Sequence, residues 1–154
     1  MRCQKGKNMA GRKPKKEKKY YTVAEANAAL PLVKAIVRDI TELARDLRER
    51  QGRLARLKPQ NGGVALDAHQ EELQQALAEF ERDQERLNEF EKELRKLGVE
   101  LKDYFAGLID FPCWMDNREV YLCWRYGEPE VAFWHELHTG FTGRQRIRTA
   151  VSTN

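Results

Sequence analysis

No stretch of this sequence approaches the ~20 consecutive apolar residues that a membrane-crossing helix needs. The basic N-terminus is not followed by the apolar segment of a secretory signal either. Neither a membrane role nor export is expected, and the cytoplasm is the expected location. Cysteine is scarce: Cys3, Cys113 and Cys123 form an odd set without a CxxC pair, so free thiols are expected in place of a disulfide framework. A phosphate-binding P-loop is missing too. The run Thr139-Gly140-Phe141-Thr142-Gly143-Arg144-Gln145-Arg146 has paired glycines but not the Lys and Ser or Thr of that motif. It could offer backbone donors and an arginine fork to phosphate or carboxylate, or simply fold back over a sheet with Phe141 as anchor.

Core-forming material is limited as well, because 34% of the 154 residues are charged and 41% hydrophobic. One domain of elongated shape fits that balance. Net charge is +4, but residues 1–19 hold nine Lys or Arg against the single acid Glu17, a local +8 that leaves −4 for the rest. This tail has no hydrophobic periodicity, so disorder is expected, as is a flexible end over 148–154. The tail could bind nucleic acid by releasing counterions, or serve only as a solubilising extension. Met9 is a second candidate start, which leaves open whether residues 1–8 belong to the native protein.

Helical order is predicted from Thr22, where Thr22-Val23-Ala24-Glu25 has the form of a capping box. Pro31 should kink the chain or sit in the first turn of a second helix. Leu30, Val33, Val37, Ile40, Ala44, Leu47, Gln51 and Leu54 recur at threes and fours, a heptad seam. Lys58-Pro59-Gln60-Asn61-Gly62-Gly63 then supplies turn chemistry. A second seam follows through Leu73, Ala76, Phe80, Asp83, Leu87, Phe90, Leu94 and Leu97, stopped by Gly98 as a left-handed cap. The predicted fold class is α+β: a long antiparallel, coiled-coil-like hairpin over about 22–97, then a small antiparallel β-module over about 99–147. A two-helix hairpin buries only one stripe per helix, so the module or a second subunit should cover the rest, and a homodimer is expected.

All three tryptophans fall between 114 and 134, where alternation predicts strands at 108–114, 119–125 and 130–137, with a possible edge strand at 99–103. Regular hairpins would put Phe111 opposite Leu122 opposite Phe133, and Cys113 opposite Val120 opposite His135. That face, joined by Ile109, Trp124 and Val131, is the expected core side. Asp110, Pro112, Trp114, Tyr121, Cys123, Arg125, Glu130, Ala132, Trp134 and Glu136 would share the other, a candidate binding surface.

On this register Cys123 and His135 point to opposite faces, and no metal site is expected. His135 reads either as a locally satisfied histidine or as a base. Asp110 opposite Cys123, near Arg118, Arg125 and Glu128, could activate a thiol or hold an anion, or be part of an ordinary cross-strand ion-pair network. The ligand-binding candidates are Asp110, Arg118, Tyr121, Cys123, Arg125, Glu128, Trp134, His135 and Arg144. No cofactor follows from these residues.

Several runs carry a resemblance: Leu101-Lys102, Gly107-Leu108-Ile109-Asp110-Phe111-Pro112, Val120-Tyr121-Leu122-Cys123-Trp124, Gly127-Glu128, Trp134-His135-Glu136 and Gly140-Phe141-x-Gly143-Arg144-Gln145. Tyr21-Thr22-x-x-Glu25-Ala26-Asn27-x-x-Leu30-Pro31-Leu32 adds to them. In this order they resemble the bacterial family catalogued as domain of unknown function 2203, over residues 20 to 147. The resemblance implies a prokaryotic, cytosolic protein whose family has no established activity, substrate or cofactor. It singles out Asp110, Cys123, Glu128, His135 and Arg144 for mutation.

Three functional readings remain at this level. The first is a non-enzymatic binding or scaffolding protein that self-associates through its hairpin and receives a protein partner on the aromatic sheet face. The second is a small metal- or ligand-binding protein or enzyme using Asp110, Cys123, Glu128 and His135, which requires the strand register above to be off by one residue. The third is nucleic-acid binding through the tail, with Arg125 and Arg144 on phosphates, against which the acidic charge of the remainder argues.

Overall fold

A computed structural model describes residues 3–4, 18–57 and 67–148, without the side chains of Cys3, Gln4 and Asp67. The expected bend at 58–63, most of the basic tail and residues 149–154 lie outside the described residues. Helix α1 spans Val23–Arg56 and α2 spans Asp67–Lys96. The capping box forms as expected: Glu25 N–H donates to Thr22 Oγ1 and Thr22 N–H to Glu25 Oε1, both at 3.0 Å. Pro31, however, ends nothing and lies inside one continuous 34-residue helix. Buried contacts on both sides of it, from Ala26 and Leu30 to Val33 and Ile36, hold the helix through the missing hydrogen bond.

The seams are where periodicity puts them. In α1, Leu30, Val33, Val37, Ile40, Ala44 and Leu47 are buried, although Gln51 is exposed. In α2, Leu73, Ala76, Phe80, Asp83, Leu87 and Phe90 are half-buried and Leu94 fully buried. Gly98 closes α2 at φ +82°, donating to Arg95 O while Val99 N–H reaches Leu94 O.

The sheet follows. Strands are β1 (Cys3–Gln4), β2 (Glu100–Asp103), β3 (Leu108–Met115), β4 (Arg118–Arg125), β5 (Phe133–Glu136) and β6 (Gln145–Arg146), with a 3-10 turn at Phe141–Gly143 before β6. All pairings are antiparallel. The order is β1-β3-β4-β5-β6, and β2 pairs with the other end of the β3 edge that β1 uses. Within the basic stretch expected to lack order, Cys3–Gln4 thus form a short strand against Trp114 and Met115.

Between β3 and β4 the expected register holds, with Phe111 opposite Leu122 and Cys113 opposite Val120. The two-residue turn Asp116-Asn117, both at positive φ, sets it. Between β4 and β5 the expectation was wrong by one residue. Leu122 faces Trp134 instead of Phe133, and His135 faces Tyr121 instead of Val120. Segment 130–132 does not join β5. Asn27 of α1 clips it: Val131 N–H donates to Asn27 Oδ1 at 2.7 Å and Asn27 Nδ2 donates to Val131 O at 3.3 Å. The strand therefore begins at Phe133, and every β5 side chain changes face.

The core forms where one sheet face meets the helices: Ile109, Phe111, Val120, Leu122, Trp124 and Trp134 pack on Ala26 to Ile40 of α1 and on Leu94 and Val99. Tyr21 adds an edge-on contact with Phe111 at 5.1 Å. Cys113, buried here, is disulfide-bonded, contrary to the expectation of free thiols, while Cys123 is free. No helix among the described residues is long and apolar enough to cross a membrane.

Candidate functional site

The face turned away from the helices collects the chemistry. Asp110 on β3 pairs directly with Cys123 on β4, and the corrected register of β5 brings His135 beside them. All three are buried, at 3%, 0% and 2% exposure. One nitrogen of His135, one carboxylate oxygen of Asp110 and Sγ of Cys123 lie within 4.8 Å of one another.

The hydrogen bonds fix the protonation pattern. His135 Nδ1 is 2.7 Å from the Glu136 carbonyl, which can only accept, so Nδ1 carries a proton. Nε2 then faces both Asp110 oxygens at 3.0 Å. Two bare lone pairs would repel there, so a second proton is shared between the imidazole and the carboxyl. Burial lifts the Asp110 pKa above its ordinary value, more than His135 and Lys102 hold it down. Burial likewise pushes the Cys123 thiol up to about 12, helped by Asp110, so the sulfur is a neutral thiol near pH 7 and not an activated nucleophile.

Two polar groups flank this centre. On the β2 side Tyr121 leans over His135 with ring centroids 5.5 Å apart, and its hydroxyl donates to the Glu100 carboxylate at 2.9 and 3.1 Å. Burial and Glu100 together raise the phenol pKa. The Lys18 and Lys102 ammonium groups sit 5.7 and 5.3 Å from the same ring, Lys18 paired with Glu119 and Lys102 with Glu100. On the β6 side the Arg144 guanidinium forks onto Glu128 at 3.1 and 2.5 Å. It lies against the rings of Phe133 and Phe141, at 3.9 and 4.3 Å, and its charge favours the thiolate form of Cys123 nearby. Burial pushes Glu128 up, but the bonds from Arg144 and from the Arg125 backbone outweigh it and leave the carboxyl below its ordinary value.

Of the nine residues singled out by sequence, the fold thus gathers Asp110, Cys123 and His135 at the centre, with Tyr121 on one flank and Glu128 and Arg144 on the other. It does not bring in three. Trp134 is a core residue on the opposite face, a correction that follows from the register. Arg118 forks onto Glu136 at 3.1 and 2.7 Å over the Trp134 ring. Arg125 is exposed beside Phe141. Sequence reasoning missed Glu100, Lys102 and Phe133. Pairing the 99–103 strand would have found the first, since Glu100 lies opposite Asp110.

A nitrogen, an oxygen and a sulfur donor so arranged suit a borderline-soft divalent ion. Tetrahedral bonds of about 2.0–2.3 Å set ligand separations of roughly 3.3–3.8 Å, within small side-chain adjustments of those found. His135 already makes the outer hydrogen bond of a metal-binding histidine, Nδ1–H to a backbone carbonyl with Nε2 turned inward.

A family model described as "Uncharacterized conserved protein (DUF2203)" matches residues 19–147. No curated protein and no solved structure matches the chain.

Proposed function

The chain belongs to the DUF2203 family, whose description states no activity, and from the geometry we propose that it binds one divalent transition-metal ion, zinc in type, through Asp110, Cys123 and His135. The convergence of three unlike donors in a buried spot within 4.8 Å carries this reading. Without an ion these buried groups stay neutral only by holding protons, one on the Cys123 thiol and one between His135 Nε2 and the Asp110 carboxyl. A divalent ion supplies positive charge in their stead, taking the place of the proton between Nε2 and the carboxyl and converting the thiol to a thiolate. Arg144 then donates to that thiolate, and Glu128 keeps Arg144 in position.

Three protein donors leave the fourth position of a tetrahedral ion for water or a small ligand, the arrangement of sites that act on a bound molecule. Chelator-free purification followed by elemental analysis should return one zinc-type ion per chain. Cobalt(II) added to stripped protein should give the thiolate-to-cobalt absorption band, and Cys123→Ser should abolish the band while His135→Ala weakens binding at least tenfold. Stripped protein that takes up no cobalt or zinc at micromolar concentration, or a Cys123→Ser variant with an unchanged spectrum, would overturn the assignment.

A further inference from the structure

The distal half of the hairpin has no part in that centre, and among the described residues only the turn at Tyr104 and Phe105 reaches it from the sheet. The apolar cluster against the sheet extends no further along α1 than Ile40. Beyond it α1 and α2 pack mainly on each other, and the seam of α2 stays half-exposed at Phe80 and Leu87. On one side the helices, with Tyr104 and Phe105 closing one end, leave a groove of about 580 Å³, its floor Ala44, Leu47, Phe80 and Leu87. Leu77, one turn before Phe80 and two before Gln84, borders the same side at 43% exposure. Two-helix stalks bury a single stripe each and gain their stability from further helices packed on them.

Charge identifies what fits. Over residues 44–56, α1 carries five arginines and two acids, a balance of +3; over residues 67–88, α2 carries seven acids and two arginines, a balance of −5. An identical helix laid on either one meets its own sign, whereas α1 laid along α2 of another molecule meets the opposite sign. A two-fold axis makes that favourable contact twice.

We infer that the groove is closed by the hairpin of a second copy of this chain, α1 of each lying along α2 of the other in a four-helix bundle, with Leu77 entering the partner's groove. The sign split both favours this pairing and disfavours α1 on α1. The inference is independent of the metal reading, so Cys123→Ser should self-associate as the unaltered chain does.

Sedimentation velocity on the full chain at tens of micromolar should give twice the 18.0 kDa chain mass. Arg48→Glu with Arg56→Glu, and separately Glu81→Lys with Glu85→Lys, should each weaken self-association at least tenfold. Mixing the two variants should restore a heterodimer. Leu77→Asp, at a position a single chain leaves exposed, should be a helical monomer by circular dichroism, and keeps the test valid should a charge variant lose helix. A monomeric unaltered chain, a dimer indifferent to Leu77→Asp, or folded charge variants that fail to recombine would each overturn the inference.

Discussion

His135 holds its Nε2 3.0 Å from both oxygens of Asp110, and the two side chains are almost wholly shut off from solvent. Removing one member leaves the other buried without its partner, which typically costs about 3–5 kcal/mol. His135→Ala should lose that much in urea denaturation, and Asp110→Asn, whose amide can still bond to Nε2, considerably less. A loss under about 1 kcal/mol for His135→Ala would mean that water reaches the carboxyl and that the pair is not desolvated.

Trp134 is 2% exposed against the helices, while its neighbour Phe133 on the other face packs on Arg144. Trp134→Ala should therefore behave as a core truncation, costing about 3–5 kcal/mol and leaving metal uptake unchanged in the fraction that folds. Phe133→Ala should cost less and loosen Arg144. Urea midpoints and metal content measured on both variants check this, and a Trp134→Ala protein of near-normal stability would contradict the core assignment.

These two residues also show what could be read in advance. The seams were legible because heptad spacing survives whatever the helices pack against, and the Phe111–Leu122 pairing because a two-residue turn of Asp and Asn allows one register. The β5 register was not legible. It depends on Asn27, more than 100 positions away from Val131, drawing the backbone of 131 out of the sheet, and alternation alone cannot register a contact between a helix and a loop. The one-residue shift hid the candidate centre, since it separated His135 from Cys123.

Asn27 then becomes a stability determinant with a distinct signature. Its side chain satisfies both backbone groups of Val131, and truncation leaves them without partners beside a buried side chain. Asn27→Ala should cost about 1–3 kcal/mol and speed amide exchange over 130–136, while exchange between β3 and β4 stays slow. Uniform acceleration across the whole sheet would argue against a local clip.

Asp103 provides a pH-dependent contribution. Its carboxylate accepts from Phe105 N–H at 2.8 Å and Ala106 N–H at 3.0 Å, and these bonds, Ala106 first, hold its pKa below the usual value. A lowered folded pKa means stability that is present above the unfolded value of about 3.9 and is lost as pH falls through the folded one. Asp103→Ala should thus be less stable than the unaltered chain at pH 6, with the two urea midpoints converging below about pH 3. A gap unchanged down to that pH would show that the carboxylate is not the stabilising species.

Gly107 and Gly140 both sit at positive φ, +68° and +66°, so an alanine at either is strained whatever the space around it. Their surroundings differ. A Cβ on Gly140 would meet nothing within 4 Å, whereas one on Gly107 would lie 2.6 Å from Tyr126 Cβ and 3.0 Å from methyl carbons of Thr41 and Val37. Those atoms belong to the β4 end and to α1, so relief requires the turn before β3 to lift off the helix. Gly107→Ala should therefore destabilise by at least about 2 kcal/mol more than Gly140→Ala, in line with overpacking of tight sites. Paired urea titrations decide it: equal losses would mean that φ alone matters and that the turn is not pressed against α1.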